Sequence, residues 1–322
     1  MSIYRDDHHG FDRPKRRTRP RTKDRPDYSG LPVAHVVGID RGRFRCRIGD
    51  DVVTAVRGRL IPRKGVVIGD RVRLDGDVSA TAGTLARIVQ VEPRSTMLHR
   101  SADDADTFER PIVANATQLL IVTALADPPP RLGMIDRILV AAYDAGIVPI
   151  LCLTKADLAS PDDLISAYEP LGIPIVATKP QADLTHVEEL LADQTTVLIG
   201  HSGVGKSTLV NRLVPGADRE TGAVSELTGK GRHTSTSAVA MEVKPGTWII
   251  DTPGVRSFGI SHVDSANIIG AFPDLADFAE QCPRGCTHVT GSPECGLDLA
   301  VERGSLAPER LASFRRMERA FV

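Results

Sequence analysis

Residues Thr195 to Ile199 form a short apolar run that passes directly into Gly200-His201-Ser202-Gly203-Val204-Gly205-Lys206-Ser207. The spacing is GxxxxGKS. Glycines let consecutive backbone N–H groups curl around phosphate oxygens, and Lys206 brings a cation to the β and γ phosphates. The Ser207 hydroxyl suits Mg²⁺, and the helix that opens here, with Thr208 in its first turn, has a dipole that favours anions. A strand, a phosphate-cradling loop and a helix in that order begin a parallel α/β domain.

Working outward, apolar runs at Gln118 to Ala124, Val148 to Leu153, Ile173 to Ala177 and Thr247 to Ile250 alternate with helical stretches at Arg131 to Ala145 and Leu184 to Leu191. That alternation predicts buried parallel strands with helices packed on the sheet. Loops at the carboxyl ends of such strands form the ligand crevice, and Thr154-Lys155-Ala156-Asp157 stands at one of them. It is similar to the guanine-reading [NT]KxD motif of GTPases. A carboxylate such as Asp157 accepts from guanine N1–H and N2–H₂, where adenine offers an acceptor at N1 and no amino group at C2. Thr154 stands where Asn is more usual.

Asp251-Thr252-Pro253-Gly254 follows Trp248-Ile249-Ile250 and looks like the DxxG switch of GTPases, in which the Asp reaches Mg²⁺ through water and the Gly N–H senses the γ-phosphate. Between the two motifs, Gly231-Arg232-His233-Thr234-Ser235-Thr236 supplies a threonine to close over Mg²⁺; both Thr234 and Thr236 suit that role. The expected catalytic set is therefore Lys206, His233, Thr234, Asp251 and Gly254. His233 is the candidate for positioning water, with an ordinary loop histidine as the alternative. Val255 occupies the place where a water-orienting Gln often stands, so slow intrinsic turnover completed by a partner is expected.

Ahead of this domain, Val33 to Ile39, Arg43 to Ile48, Asp51 to Val56, Asp70 to Leu74 and Thr84 to Val91 read as five short strands separated by turn signals. They predict a small β-barrel of the OB type, a fold that binds oligonucleotides. Arg41, Arg43, Arg45 and Arg47 recur at period two and form a basic stripe. Residues 1–100 carry 22 Lys+Arg against 12 Asp+Glu, whereas residues 101–322 carry 18 against 29, so a net charge of −1 conceals a basic front and an acidic rear. The basic front points to a polyanionic partner. Residues 1–30, rich in Arg and Pro, read as a disordered basic arm.

The chain is 41% hydrophobic and 25% charged, as expected of a soluble protein, and no apolar run approaches the ~18 residues of a membrane span. Five cysteines, three of them clustered, suit a reducing compartment and a cytoplasmic protein. Cys282-x3-Cys286-x-His288-x6-Cys295 offers three thiolates and an imidazole, a donor set that favours one tetrahedral structural Zn²⁺. Cys46 and Cys152 fall in predicted strands and read as small buried hydrophobes.

The guanine motif precedes the phosphate loop, which precedes the switch, so the GTPase domain is circularly permuted. A permuted GTPase behind an OB-like module and ahead of a Cys/His cluster resembles the small ribosomal subunit biogenesis GTPases of the RsgA (YjeQ) family. The resemblance runs over roughly residues 31–320 and divides the chain into the arm, an OB module at 31–100, the GTPase domain at 101–262 and a mainly helical zinc module at 263–322. The cysteine spacings depart by one residue from the family's usual pattern. The resemblance implies GTP as substrate, GDP as product, Mg²⁺ with the nucleotide, and hydrolysis stimulated by the immature 30S subunit and followed by release. It also implies grip on rRNA through the flanking modules; a monomer away from membranes suffices for such a role. Two rival readings are a metabolic P-loop ATPase and a GTP-gated RNA-binding protein with little catalysis of its own.

Overall fold

The computed structural model describes residues 27–81, 83–101, 110–214, 238–253, 258–260, 263, 268–269 and 272–319. Most of the basic arm, together with His233, Thr234, Thr236 and Gly254, lies outside the described residues.

The five front strands are β1 (Val33–Asp40), β2 (Arg43–Ile48), β3 (Asp51–Arg57), β4 (Arg71–Gly76) and β5 (Ala86–Val91). Their hydrogen-bonded order β1-β2-β3-β5-β4 closes through a β1–β4 pairing, with only β3–β5 parallel, which is the OB arrangement. Period-two alternation sends Ala34, Val36, Phe44, Cys46, Val53, Ala55, Val72 and Leu74 inward and leaves Arg43 and Arg45 in solvent. Burial pushes the Cys46 thiol up to about 12, and it behaves as a small apolar filler. Asp70, expected to open β4, instead precedes it and is fully buried: its carboxylate accepts from the Val67 backbone N–H at 2.8 Å and from Arg94 at 2.7 and 2.8 Å.

A two-stranded hairpin not anticipated from sequence, β6 (Met97–Arg100) with β7 (Arg110–Ala114), leads from the barrel to the second domain. There β8 (Gln118–Ala124), α1 (Leu132–Asp144), β9 (Val148–Thr154), α2 (Asp162–Tyr168), β10 (Ile175–Ala177), α3 (Thr185–Leu191), β11 (Thr195–Gly200), α4 (Lys206–Leu213), β12 (Val239–Lys244) and β13 (Thr247–Asp251) follow. The sheet order is β10-β9-β8-β11-β13-β12, parallel except for β12. Strands buried on both faces alternate between two cores. Leu119, Ile121, Leu151, Val197 and Ile199 face α1, whereas Leu120, Val122, Ile150, Cys152 and Leu198 face α3 and α4.

The C-terminal segment supplies α5 (Pro273–Ala279), α6 (Gly296–Glu302) and α7 (Pro308–Glu318). Phe272, Leu275, Leu297, Phe314 and Met317 join the α1 core, and Phe272 packs edge-on against Tyr143 and Phe314 at 5.0 and 5.6 Å between centroids. On this face, Arg316 of α7 donates to the buried Asp136 of α1 at 3.3 Å and to the Ala167 carbonyl at 2.8 Å, and lies 4.3 Å over the Tyr168 ring. At the opposite edge, β12 pairs antiparallel with β1 at Gly38 and Val239, which joins the barrel strands and those of the second domain into one eleven-stranded sheet. Among the described residues, no helix is long and apolar enough to cross a membrane.

Candidate active site

The crevice is built at the carboxyl ends of β9, β11 and β13. Gly200 ends β11 so close to β8 that a Cβ there would sit 2.4 Å from the Val122 carbonyl oxygen, which no side chain accommodates. Gly205, with φ +88°, turns the chain through the left-handed region into α4, where a β-carbon would be strained. These two positions hold the loop in a tight turn with Lys206 at the start of α4. His201 keeps to the loop itself, its Nδ1 2.8 Å from the Ser202 carbonyl oxygen, while Val204 is buried and Ser202, Gly203 and Thr208 are exposed.

Lys206 is 7% exposed, and its ammonium donates to the Asp251 carboxylate at the end of β13 and to the Thr252 carbonyl. Asp251 is 6% exposed, so each charge is compensated by the other out of water. The Thr252 hydroxyl donates to the Leu198 carbonyl at 2.7 Å, pinning the start of the switch to the strand that carries the phosphate loop. The first two residues of the DxxG stretch are thus tied to the GxxxxGKS stretch.

On β9, Thr154 is buried with its Oγ1 2.5 Å from the Val204 carbonyl oxygen and 3.2 Å from that of Thr123. The residue at the unusual first position of the motif therefore fastens the turn after β9 to the turn after β11. Lys155 takes a left-handed φ of +57°, and its ammonium donates to the Asp127 carbonyl. Ala156 is held by its N–H to the Thr178 carbonyl at 3.1 Å, and the turn leaves Asp157 exposed to meet a ligand from solvent. Ser207 is half-buried beside Lys206. The structure thus gathers residues 154–157, 200–208 and Asp251 at one rim. Asp127 and Thr252 complete that rim; sequence reading missed the first, which belongs to no motif and acts through its backbone carbonyl.

The Cys/His cluster lies in the segment between α5 and α6, with Arg315 of α7 beside it. Cys282, Cys286, His288 and Cys295 present ligand atoms that all fall within 4.8 Å of one another. The His288 Nδ1 is 3.5, 3.6 and 3.9 Å from the three sulfurs. Zn–S near 2.3 Å and Zn–N near 2.0–2.1 Å in a tetrahedron require an S···N edge of about 3.6 Å, so the donor set is compatible with zinc. Burial pushes the Cys282 thiol up to about 11, against a 3.1 Å hydrogen bond from the Gly296 N–H that favours its thiolate. Arg315 braces the site: it donates to the His288 carbonyl at 2.8 Å and pairs two-pronged with Asp298 at 2.8 and 2.7 Å.

The RsgA GTPase family model matches residues 91–261. A small ribosomal subunit biogenesis GTPase RsgA of Azotobacter vinelandii is 41% identical over 302 residues, covering 91% of this chain and 85% of that protein. One of the same description from Alcanivorax borkumensis is 37% identical, covering 77% and 71%. The crystal structure of YjeQ from Thermotoga maritima superposes with a TM-score of 0.66 at 24% identity, covering 90% of this chain and 98% of that one. YloQ, a circularly permuted GTPase, superposes at 0.62 with 23% identity, covering 92% and 97%. The likeness to these two structures extends through barrel, permuted domain and C-terminal helices alike. The chain is a GTP hydrolase and belongs to the RsgA GTPase family.

Proposed function

We propose that this GTPase serves late maturation of the small ribosomal subunit: it binds the immature 30S particle with GTP and leaves on hydrolysis. The relatives' shared description supports that reading. The observation that carries the RNA half of it is the barrel's outer face, where Arg41, Arg43 and Arg45 stand exposed in a row along one strand and its turn. Phosphate contacts from such a row give affinity that falls with salt. The acidic rear of the chain leaves the grip on rRNA to the barrel and the Cys/His module. The protein works as a monomer in the cytoplasm.

Within the site, Asp157 reads the guanine edge, and the backbone amides of residues 200–205 cradle the phosphates. Phosphate oxygens would take the place of the Asp251 carboxylate and the Thr252 carbonyl around the Lys206 ammonium, and Asp251 would then be available to help hold the metal. Ser207 and one of Thr234 and Thr236 would be the hydroxyls for Mg²⁺, which supplies charge neutralisation on the phosphate oxygens when bound. Gly254 senses the γ-phosphate, and His233 holds the attacking water. Val255 supplies no polar group beside that water, so the particle completes the site. Cys282, Cys286, His288 and Cys295 hold one structural Zn²⁺ that keeps the helical module folded.

GTP turnover by the purified protein, alone and with 30S subunits, 50S subunits or free rRNA at two salt concentrations, tests the reading. A large rise with 30S alone, weakened by salt, is expected. No rise with any particle would leave a GTP-gated RNA binder, and an unchanged preference for GTP over ATP in Asp157→Asn would remove the guanine assignment.

A further inference from the structure

The eleven-stranded sheet is continuous through the pairing of Gly38 with Val239, and β1 pairs with β12 at that one residue pair. Beyond it the two halves part, and the fork between them is a cleft. One arm of the fork is the outer face of the barrel. In register, His35 on β1 lies opposite Arg47 on β2 and opposite Arg71 on β4, so an Arg-His-Arg row crosses three strands on one face. The other arm is β13, from which Trp248 projects. The His35 and Trp248 rings are parallel to within 13° at 6.1 Å between centroids, and the Arg47 guanidinium lies 5.3 Å from the Trp248 centroid.

Two voids share His35 and Trp248 as walls. The larger, about 630 Å³, is bordered by Arg47 and Lys244, and the smaller, about 280 Å³, reaches Arg71. The larger falls in the range of sites for small ligands, about 300–1,000 Å³. Arg47 is held in place by Glu242 at 2.6 Å, which satisfies that carboxylate and orients the guanidinium beside the indole. Among the described residues Arg71 is exposed and makes no side-chain hydrogen bond or ion pair, and Arg45 and Arg43 continue the positive face along β2.

We propose that this fork binds one unpaired nucleotide of an RNA strand, with the base stacked on Trp248 and the phosphates held by Arg71 and the arginines of β2. A flat aromatic ring beside cationic side chains is the chemistry that takes a splayed-out base and its backbone, and every base has a face to offer it. The concave fork excludes duplex, whose bases stay stacked on one another. An acidic peptide would use the arginines but bring no flat ring to the indole. The site is separate from the GTP crevice, yet Trp248 stands on the same strand as Asp251, three residues upstream. The proposal deepens the RNA-binding reading above and rests on it.

Trp248 is the only tryptophan of the chain, so its emission reports on this cleft alone. The full chain, first saturated with GDP to occupy the phosphate loop, is titrated with eight-residue oligo(U) and oligo(A), with blunt RNA duplex and with UMP. Saturable quenching by the single strands, with little from duplex or UMP, is expected. Binding of fluorescein-labelled oligo(U), followed by anisotropy, is expected to weaken about tenfold or more in Trp248→Leu and to be largely restored in Trp248→Phe, which still stacks. Arg71→Gln is expected to weaken binding and flatten its salt dependence. GDP binding by each variant serves as the check on folding. Oligonucleotide that binds without changing Trp248 emission, and equally well to Trp248→Leu, overturns the fork and leaves the RNA-binding reading standing. Quenching by UMP as strong as by oligo(U) assigns the cleft to free nucleotides and overturns the RNA strand. No binding of any RNA overturns both readings together.

Discussion

The Thr154 hydroxyl lies 2.5 Å from the carbonyl oxygen of Val204, joining the end of β9 to the middle of the glycine-rich turn after β11. Thr154→Val keeps the shape and removes the donor, leaving a buried carbonyl with one partner fewer, at a cost of about 1–3 kcal/mol. That cost falls on the folded crevice, and about tenfold weaker GDP binding is expected by calorimetry. An unchanged affinity would mean that the two loops hold their positions without this bond.

Lys206 and Asp251 compensate one another in a nearly dry setting. Asp251→Asn leaves the Lys206 ammonium buried among neutral oxygens with no counter-charge, and breaking one side of such a pair costs about 3–5 kcal/mol. The nucleotide-free variant is expected to melt well below the parent, and GDP, whose phosphates give Lys206 a new counter-charge, is expected to narrow the gap. A gap that GDP does not narrow would show that the lysine is not the source of the loss.

For the Cys/His cluster, one zinc per chain is expected by elemental analysis of the purified protein, with most of it lost in Cys286→Ser. Strong chelation is expected to lower the melting temperature of the parent and to leave that of Cys286→Ser nearly unmoved. A parent indifferent to chelator would make the four side chains a metal-free packing cluster. Because α6 starts directly after Cys295 and Arg315 of α7 braces the His288 carbonyl, loss of the metal is expected to reach both helices.

The Arg316–Asp136 contact gives a prediction with a definite sign in pH. Burial raises the Asp136 pKa, against the opposing pull of Arg316 and of the Tyr168 hydroxyl that donates to it at 2.9 Å. A carboxyl whose pKa is raised by folding favours the fold when protonated, at pH below its unfolded value of 3.8, and that contribution is lost as pH rises through its folded value. Arg316→Met removes the counter-charge and raises it further. The variant is therefore expected to be less stable than the parent by about 2–3 kcal/mol at pH 7 and by clearly less at pH 4.5, read from urea midpoints. A deficit that is equal at both pH values would reduce Arg316 to a packing residue.

The turn at residues 200–207, the turn at residues 154–157 and the cysteine cluster are legible in sequence because each is a local arrangement, fixed by neighbours within about a dozen residues. The barrel was legible because its alternation sends Phe44 and Cys46 in and the arginines out. What escaped was set by distant partners. The β6–β7 hairpin is short and carries Pro111, so it lacks a strand's usual signature. Strand β12 is half-buried along most of its length, with Glu242 and Lys244 diluting its apolar pattern, and it exists because β13 and β1 lie beside it. Asp136 and Arg316 stand 180 residues apart, and nothing at either position announces the other. Arg47 illustrates the same limit: it shares the stripe's spacing, but its contact with Glu242 sets it apart from Arg43 and Arg45.

The strand that carries the phosphate loop, β11, is flanked by β8, on which the chain arrives from the barrel, and by β13, on which it departs toward the cysteine module. Leu198 of β11 sits in register with Leu120 on one side and with Asp251 on the other. The strand that ends in the phosphate loop is thus clasped in register between the chain's way in from the barrel and its way out toward the cysteine module, so neither neighbour can slip along it by one residue without turning its buried side chains to the wrong core.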